Sequence, residues 1–68
     1  MKASELVKGD ILTYTPGGVP MVVVGLDPDY VVPRTIHVRD DEDGSYHTFR
    51  TEDFINFAGP DGTELENA

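Results

Sequence analysis

The stretch that decides the fold is TIHVRDDEDGSYHTFRTEDFINF, residues 35–57. Apolar and polar side chains alternate over residues 35–39, four acids and Gly44 follow, and residues 45–50 are again rich in β-branched and aromatic side chains. Alternation with a period of two is typical of β-strands, and an Asp-Gly pair is typical of a tight hairpin turn. The stretch therefore predicts a β-hairpin, then a 3-10 turn over Thr51–Asp53 and a last strand over Phe54–Phe57.

Two loop lengths are compatible with this hairpin. A two-residue turn at Asp43-Gly44 places Val38 opposite Phe49, whereas a four-residue loop over Asp41–Gly44 places Val38 opposite His47. Asp-Gly favours the shorter loop. Because side chains alternate across a strand, both registers send the same residues to the core: Ile36, Val38, His47 and Phe49. Both also send the same residues outward: His37, Arg39, Tyr46, Thr48 and Arg50.

The rest of the chain supplies further strands and loops. Residues 11–15 predict a first strand, Pro16-Gly17-Gly18 a loop, and residues 19–26 a second strand in which Gly25 marks a bend or bulge. Residues Tyr30 to Arg34 predict an extended loop of exposed apolar character, since Pro33 is disfavoured inside a sheet. Residues 58–68 are turn-rich and acidic, which predicts a disordered tail after one domain over residues 1–57.

Length and composition limit what such a domain can be. A chain of 68 residues buries only roughly 60% of its unfolded surface, which leaves little room for a substrate cavity. The sequence has no cysteine, which excludes disulfides and thiolate metal sites and fits a cytoplasmic location. It contains neither an apolar run as long as a membrane span nor the apolar core of a signal peptide.

The charge balance excludes two classes of partner. Thirteen acids against five bases give a net charge of −8. Nucleic acids and anionic membranes reward clustered lysines and arginines, so we expect neither as a direct partner. The acidity itself has two interpretations: it keeps the protein soluble, or it forms a face that docks a basic protein or imitates nucleic acid.

The strand pattern resembles the small SH3-like β-barrel superfamily over residues 5 to 57. The resemblance rests on three segments: LVKGDIL at residues 6–12, the glycine loop before MVVV at 21–24, and YHTF at 46–49 followed by Glu52-Asp53-Phe54. Short barrel proteins of bacteria and their phages are the nearest likeness. The resemblance implies an all-β, five-stranded barrel with a 3-10 turn before the last strand. It implies no site, because the chain lacks the aromatic groove of peptide-binding SH3 domains and the basic surface of ribosomal ones.

The sequence predicts no catalytic, cofactor or metal site. The acidic turn at residues 40–44 attracts attention because hard cations bind clustered carboxylates. Aligned on the EF-hand glycine, however, the first and last ligand positions fall on Arg39 and Arg50, so the motif fails. His37 and His47 fall on opposite faces of the hairpin, which keeps them from sharing a metal, and His47 is expected to be partly buried near Asp40.

Two hypotheses on function follow. The first is a non-enzymatic protein-interaction module of a small bacterial or phage protein, acting as a monomer or weak homodimer. Its binding residues would combine the outward hairpin face with the preceding loop, since Tyr and Arg are enriched in interfaces: Tyr30, Arg34, His37, Arg39, Tyr46 and Arg50. The alternative is an acidic decoy that covers the basic nucleic-acid-binding surface of a host protein.

Overall fold

Five antiparallel strands form one sheet that curls into a half-barrel. The strands are β1 (Ile11–Tyr14), β2 (Val19–Asp29), β3 (Val32–Asp40), β4 (Tyr46–Arg50) and β5 (Phe57–Ala58). Their order across the sheet is β4-β3-β2-β1-β5. Short 3-10 turns lie at Ala3–Glu5 and Thr51–Asn56. The all-β class, the five strands and a 3-10 turn before the last strand are confirmed.

The structure is a computed structural model that describes residues 1–29 and 32–66. For residues 28, 29, 32–34 and 51, only the backbone is described. Within these residues, no helix is long and apolar enough to cross a membrane.

The prediction of a last strand over Phe54–Phe57 is wrong in its bounds. The 3-10 turn covers Thr51–Asn56, and β5 holds only Phe57 and Ala58. A strand would point Phe54 and Phe57 to opposite faces, because they are an odd number of positions apart. A 3-10 turn has three residues per turn and aligns them, so both rings reach the core, where Phe54 is 1% and Phe57 0% exposed.

Strands β2 and β3 are longer than the sequence predicts. The second strand continues past Leu26 to Asp29, and the third begins at Val32, so the extended loop predicted for Tyr30–Arg34 is wrong for residues 32–34. Proline is tolerated in a sheet where the ladder is irregular, and the register indeed shifts between Asp27 and Pro28, next to the pair of Pro28 with Pro33. Tyr30 and Val31 lie outside the described residues.

A β-bulge interrupts β2 as the sequence predicts near Gly25. Val23 pairs with Val38 and Gly25 pairs with His37, which leaves Val24 as the extra residue. The bulge bends the strand. Val23 is buried, whereas Val22 and Val24 are half-buried.

The hairpin of β3 and β4 has the longer of the two predicted loops. Val38 lies opposite His47 and Ile36 opposite Phe49, so the preference for the two-residue turn is wrong. The backbone N–H of Asp40 donates to the Ser45 carbonyl at 2.7 Å, and that of Gly44 donates to the Asp40 carbonyl at 2.9 Å. These bonds close a four-residue loop over Asp41–Gly44, in which Gly44 takes a φ of 79°.

The core lies on the concave face of the sheet. Its buried members are Ala3, Leu6, Leu12, Met21, Val23, Ile36, Val38, Phe54, Phe57 and Leu65. Ile36 and Val38 are both 0% exposed, as predicted for the inner face of the hairpin. His47 was expected to be partly buried on that face, but it is exposed. His47 lies nearer the hairpin loop than Phe49, which is on the same strand and packs half-buried against the core.

The disordered tail predicted for residues 58–68 is not confirmed over residues 58–66. Ala58 forms a bridge with Glu64, and Lys2 forms one with Glu66. Leu65 is only 3% exposed, because its side chain joins the core beside β5. The Leu65 N–H donates to the Phe57 carbonyl at 2.9 Å, which continues the sheet beyond its last strand. Sequence analysis missed Leu65 as a core residue, because it is a single apolar residue between acids.

Candidate protein-interaction surface

The outward face of the β3–β4 hairpin brings four of the six predicted binding residues together. Arg39 lies opposite Tyr46, and His37 lies opposite Thr48. Arg50 lies opposite Thr35 at the other end of the hairpin. Directly opposed side chains on one face are near neighbours, so these residues form a continuous strip.

Tyr46 and Arg39 are exposed and lie at one end of the strip. Tyr46 is 72% exposed, the most exposed of the large hydrophobic side chains identified on the surface. One guanidinium nitrogen of Arg39 lies 3.6 Å from an Asp41 carboxylate oxygen, and the two side chains are 44% and 49% exposed. An ion pair as exposed as this contributes at most about 1 kcal/mol. A partner that binds the Arg39 guanidinium therefore loses little free energy by displacing Asp41.

His37 has a structural part within the strip. Its Nε2 lies 2.9 Å from Asp27 Oδ2, and its Nδ1 lies 3.1 Å from Thr48 Oγ1. A carboxylate only accepts, so Nε2 carries the proton and donates it to Asp27. In the neutral ring, Nδ1 then accepts from the Thr48 hydroxyl. This pair of bonds ties β2, β3 and β4 together across the outward face and restricts the ring.

Gly25 lies under the His37 ring. A Cβ built at Gly25 would lie 3.5 Å from the His37 Cδ2 atom. The absent side chain leaves space for the imidazole to lie across the β2 backbone toward Asp27. The bulge at Val24 thus also positions this hydrogen-bonded group.

Two predicted residues are not placed by the structure. Tyr30 lies outside the described residues. Arg34 belongs to β3 by its backbone, and its side chain is not among those described. Arg50 is exposed on the outward side of β4, and its backbone N–H donates to Asp53 Oδ2 at 3.3 Å.

The register extends the strip to two residues that sequence reasoning missed. Val22 pairs with Arg39 on one side and with Ile11 on the other. One row of outward side chains therefore crosses four strands: Ile11, Val22, Arg39 and Tyr46. Ile11 is 51% exposed although it opens a strand of the core sheet. The alternation of Ile11 with buried Leu12 indicates this orientation, but the β1–β2 register needed to align the row is not readable from the glycine loop.

Two carboxylates of the acidic turn, those of Asp40 and Asp43, accept hydrogen bonds from residues of the turn itself. Asp40 Oδ1 accepts from the N–H groups of Glu42 at 2.8 Å and Asp43 at 3.3 Å. Asp43 Oδ1 accepts from the Ser45 hydroxyl at 2.6 Å and from the Ser45 N–H at 2.8 Å. The hydroxyl bond, followed by the backbone bond, lowers the pKa of the Asp43 carboxyl. Among the described residues, no three acidic or histidine side chains converge as a metal site.

Ser45 and His47 form a polar chain that sequence reasoning also missed. His47 Nε2 lies 2.9 Å from Ser45 Oγ, whose hydroxyl donates to Asp43. Since that hydroxyl proton points to the carboxylate, Nε2 is the donor to Ser45 Oγ. His47 therefore does not take the serine proton, and this order of contacts is the reverse of a nucleophile activated by a base. The Asp-Gly-Ser spacing is the signal that predicts such a turn.

Aromatic side chains gather where the concave face opens. Tyr14, Phe49 and Phe57 have ring centroids 4.8 to 5.8 Å apart. The ring of His47 lies 6.2 Å from that of Phe49. Phe57 is buried, whereas Tyr14 and Phe49 are half-buried. The contact of Tyr14 with Phe49 joins strands at opposite parts of the sheet, and so helps to hold the sheet in its curled form.

No protein-family model, curated protein or solved structure matches this chain.

Proposed function

We propose that this protein is an SH3-like barrel that acts as a non-enzymatic protein-interaction module. Two features support the fold relationship: the strand order β4-β3-β2-β1-β5 and the 3-10 turn that leads into the last strand. The reversed polarity of the Asp43, Ser45 and His47 contacts supports a non-enzymatic role. A catalytic role for this loop would need an activated nucleophile, and the Ser45 hydroxyl is not one, because it donates its proton to Asp43 and not to His47.

The observation that carries the proposal is the row Ile11, Val22, Arg39 and Tyr46. It places an exposed aliphatic, a half-buried aliphatic, an arginine and an exposed tyrosine side by side on a rigid sheet. Aromatic residues and arginine dominate the energetics of protein interfaces when they are surrounded by apolar contacts. A sheet face holds them with little loss of entropy on binding.

The surroundings of the row define a partner with an apolar centre and a basic rim. The acidic turn borders the row at its Arg39–Tyr46 end, where Asp41, Glu42 and Asp43 are exposed. With a net charge of −8, the protein attracts basic surfaces over a Debye length and repels acidic ones. The partner would bury Tyr46 and Ile11 and place its cations near the turn.

A second candidate is an acidic decoy that covers the basic surface of a nucleic-acid-binding protein. The exposed carboxylates of the turn favour it, because they present three consecutive acids at residues 41–43. The two candidates differ in the source of affinity. An interface centred on Tyr46 keeps most of its affinity as salt rises, whereas a decoy loses it steeply.

The experiment compares partners captured by wild type, by Arg39→Ala/Tyr46→Ala and by a matched control, Lys8→Ala/Ile55→Ala. The control also removes one cation and one exposed large side chain, since Ile55 is 67% exposed and Lys8 is exposed. We expect the first variant to bind the captured partner at least about tenfold more weakly, as a loss of one or two hot-spot residues does. Identical partner lists and affinities for both variants would contradict the proposed surface.

Salt separates the two candidates in the same assay. The Kd of the captured partner is measured at low and at moderate salt for wild type and for Glu42→Gln/Asp43→Asn. If binding collapses with salt and with the charge-removing variant but not with Arg39→Ala/Tyr46→Ala, the decoy replaces the interaction module.

A further inference from the structure

The backbone of β4 alternates between bonds to β3 and groups that point away from it. The N–H of Asp40 donates to the carbonyl of Ser45, so Ser45 faces β3. The N–H of Arg50 donates instead to Asp53 Oδ2, away from β3. In an antiparallel ladder these two orientations alternate along the strand. The N–H and C=O groups of Tyr46 and Thr48 therefore point toward the outer edge of the sheet.

Within residues 1–29 and 32–66, that outer edge is accessible. In the part of the chain that the structure describes, β3 is the only strand that pairs with β4. Tyr46, His47, Thr48 and Arg50 are exposed, and Phe49 is half-buried. Side chains on both faces of one strand are exposed together only when little packs against its free side. Such an edge offers unpaired donors and acceptors to another strand.

We propose that β4 pairs antiparallel with β4 of a second copy of this chain, about a twofold axis at Thr48. The occupant is identified by self-complementarity. In this register Thr48 lies opposite Thr48, Tyr46 opposite Arg50, and His47 opposite Phe49. Thr–Thr, cation–aromatic and aromatic–aromatic contacts are all favourable across strands. All five residues of β4 are paired, and no like charges are opposed.

The hydrogen bonds fit the same register. The Thr48 N–H of each copy donates to the Thr48 carbonyl of the other. The Tyr46 N–H of each copy donates to the Arg50 carbonyl of the other, which leaves the Arg50 N–H to its bond with Asp53. A register centred on Arg50 would oppose two guanidinium groups and is disfavoured.

Charge sets the strength of this pairing. Each copy carries a net charge of −8, and the hairpin loop with Asp43 and the 3-10 turn with Asp53 flank the two ends of β4. An interface of one short strand is also at the small end of specific interfaces. We therefore expect a weak dimer that salt strengthens, because salt screens repulsion between the copies.

Disulfide trapping tests the register directly, since the sequence has no cysteine of its own. In the proposed dimer the two Thr48 Cα atoms are about 5.5 Å apart, within the range of about 4.4–6.8 Å that a disulfide spans. The two Tyr46 positions are offset by four residues of strand, about 13 Å. Thr48→Cys should therefore form a disulfide dimer in a glutathione buffer, measured by intact mass, and Tyr46→Cys should not.

Ser4→Cys, at an exposed site outside β4, measures random collisions. A dimer yield for Thr48→Cys at least about tenfold above both other variants supports the proposal. Equal yields in all three, or no dimer of Thr48→Cys, would overturn it.

Sedimentation of uncrosslinked protein gives an independent test. We expect the average mass of wild type to rise with concentration, and more steeply at 0.5 M than at 0.05 M salt, because the screening distance falls from about 14 Å to about 4 Å. Thr48→Lys, which opposes two ammonium groups, should remain monomeric. Ser4→Lys makes the same charge change elsewhere and should behave as wild type. Thr48→Val removes the hydroxyl, with its bond to His37, but adds no charge, so it should still dimerise. Wild type that stays monomeric at millimolar concentration would overturn the proposal, whatever the outward face binds.

Discussion

The two outer edges of the sheet are finished in different ways. At one edge, β5 is followed by residues 59–66, which return along it and bury Leu65 beside Phe57. At the other edge, β4 leaves both its faces largely exposed, with Tyr46 at 72%. An uncovered edge is a risk for a soluble protein unless it is charged, short or used. The contrast separates a part of the chain that stabilises the fold from a part that is free to bind.

Turns with the same sequence pattern and hydrogen bonds precede the open strand β4 and the segment that covers β5. Asp43-Gly44-Ser45 leads into the open strand, and Asp61-Gly62-Thr63 leads into the covering segment. In each, the aspartate Oδ1 accepts from the hydroxyl and the N–H two residues later, at 2.6 and 2.8 Å in the first and 2.7 and 3.0 Å in the second. The glycines have φ values of 79° and 84°. The difference thus arises after the turn, where Leu65 enters the core and Tyr46 does not.

Removing the side chain that covers the β5 edge should have the largest effect. Leu65→Ala empties a site that is 3% exposed, and we expect a loss of about 2–5 kcal/mol in the free energy of unfolding. For a small domain this is a large share of the total. Tyr46→Ala on the open edge should change it by no more than about 0.5 kcal/mol. Urea unfolding of dilute protein measures both.

Ile55→Ala is the matched control, since Ile55 is aliphatic, of similar size and 67% exposed. Comparable losses for Leu65→Ala and Ile55→Ala would show that residues 59–66 do not stabilise the β5 edge.

An intermediate and equal effect should follow from Gly44→Ala and Gly62→Ala. A Cβ at either glycine would meet no atom of the described residues within 4 Å, so the cost is conformational alone. Forcing alanine into the left-handed region costs about 1–2 kcal/mol. We expect unfolding free energies to fall by this amount in both variants. A much larger loss at Gly44 would mean that the open edge depends on its turn more than the covered edge does.

The smallest changes in stability should come from the protonation of Asp43 and Asp61 in acid. The Ser45 hydroxyl and N–H lower the pKa of Asp43, and those of Thr63 lower the pKa of Asp61. A carboxyl whose pKa is lower in the folded state stabilises the protein above its unfolded pKa of about 3.9, and this contribution disappears as pH falls through the folded value. Side-chain carbon shifts followed by NMR should show both midpoints below about 3.9.

Thr63→Val should then raise the Asp61 midpoint toward its ordinary value and leave that of Asp43 unchanged. Ser45→Ala should do the opposite. If neither variant moved its own aspartate, the two hydroxyl bonds would not be the cause of the lowered pKa values.

The hairpin shows which structural features the sequence predicts and which it does not. The period-two pattern of residues 36–39 determines that Ile36 and Val38 face inward and that His37 and Arg39 face outward. It cannot choose between the two loops, because they differ by two residues and preserve the faces. The choice depends on the backbone bonds of Asp40 with Ser45 and Gly44. The outward orientation of His37, Arg39, Tyr46 and Arg50 was therefore predictable, and the order in which these residues pair was not.

Elsewhere, packing against distant residues overrides local pattern. The local pattern predicts a strand at Phe54, but this residue lies in a 3-10 turn that directs its ring into the core beside Phe57. Leu65 reads as part of an acidic tail, yet it covers the β5 edge. The row from Ile11 to Tyr46 exists only after three strand pairs are aligned.

By itself, the sequence determined the all-β class, the faces of the hairpin and the bulge near Gly25, because each follows from side-chain alternation or turn chemistry within a few residues. Only the tertiary structure decided which edge of the sheet is covered and which is open. That outcome depends on contacts between residues far apart in the chain, such as Glu66 with Ala3 and with Met1. Local pattern carries no information on such contacts, since an apolar residue gains from burial only where the fold provides a site for it.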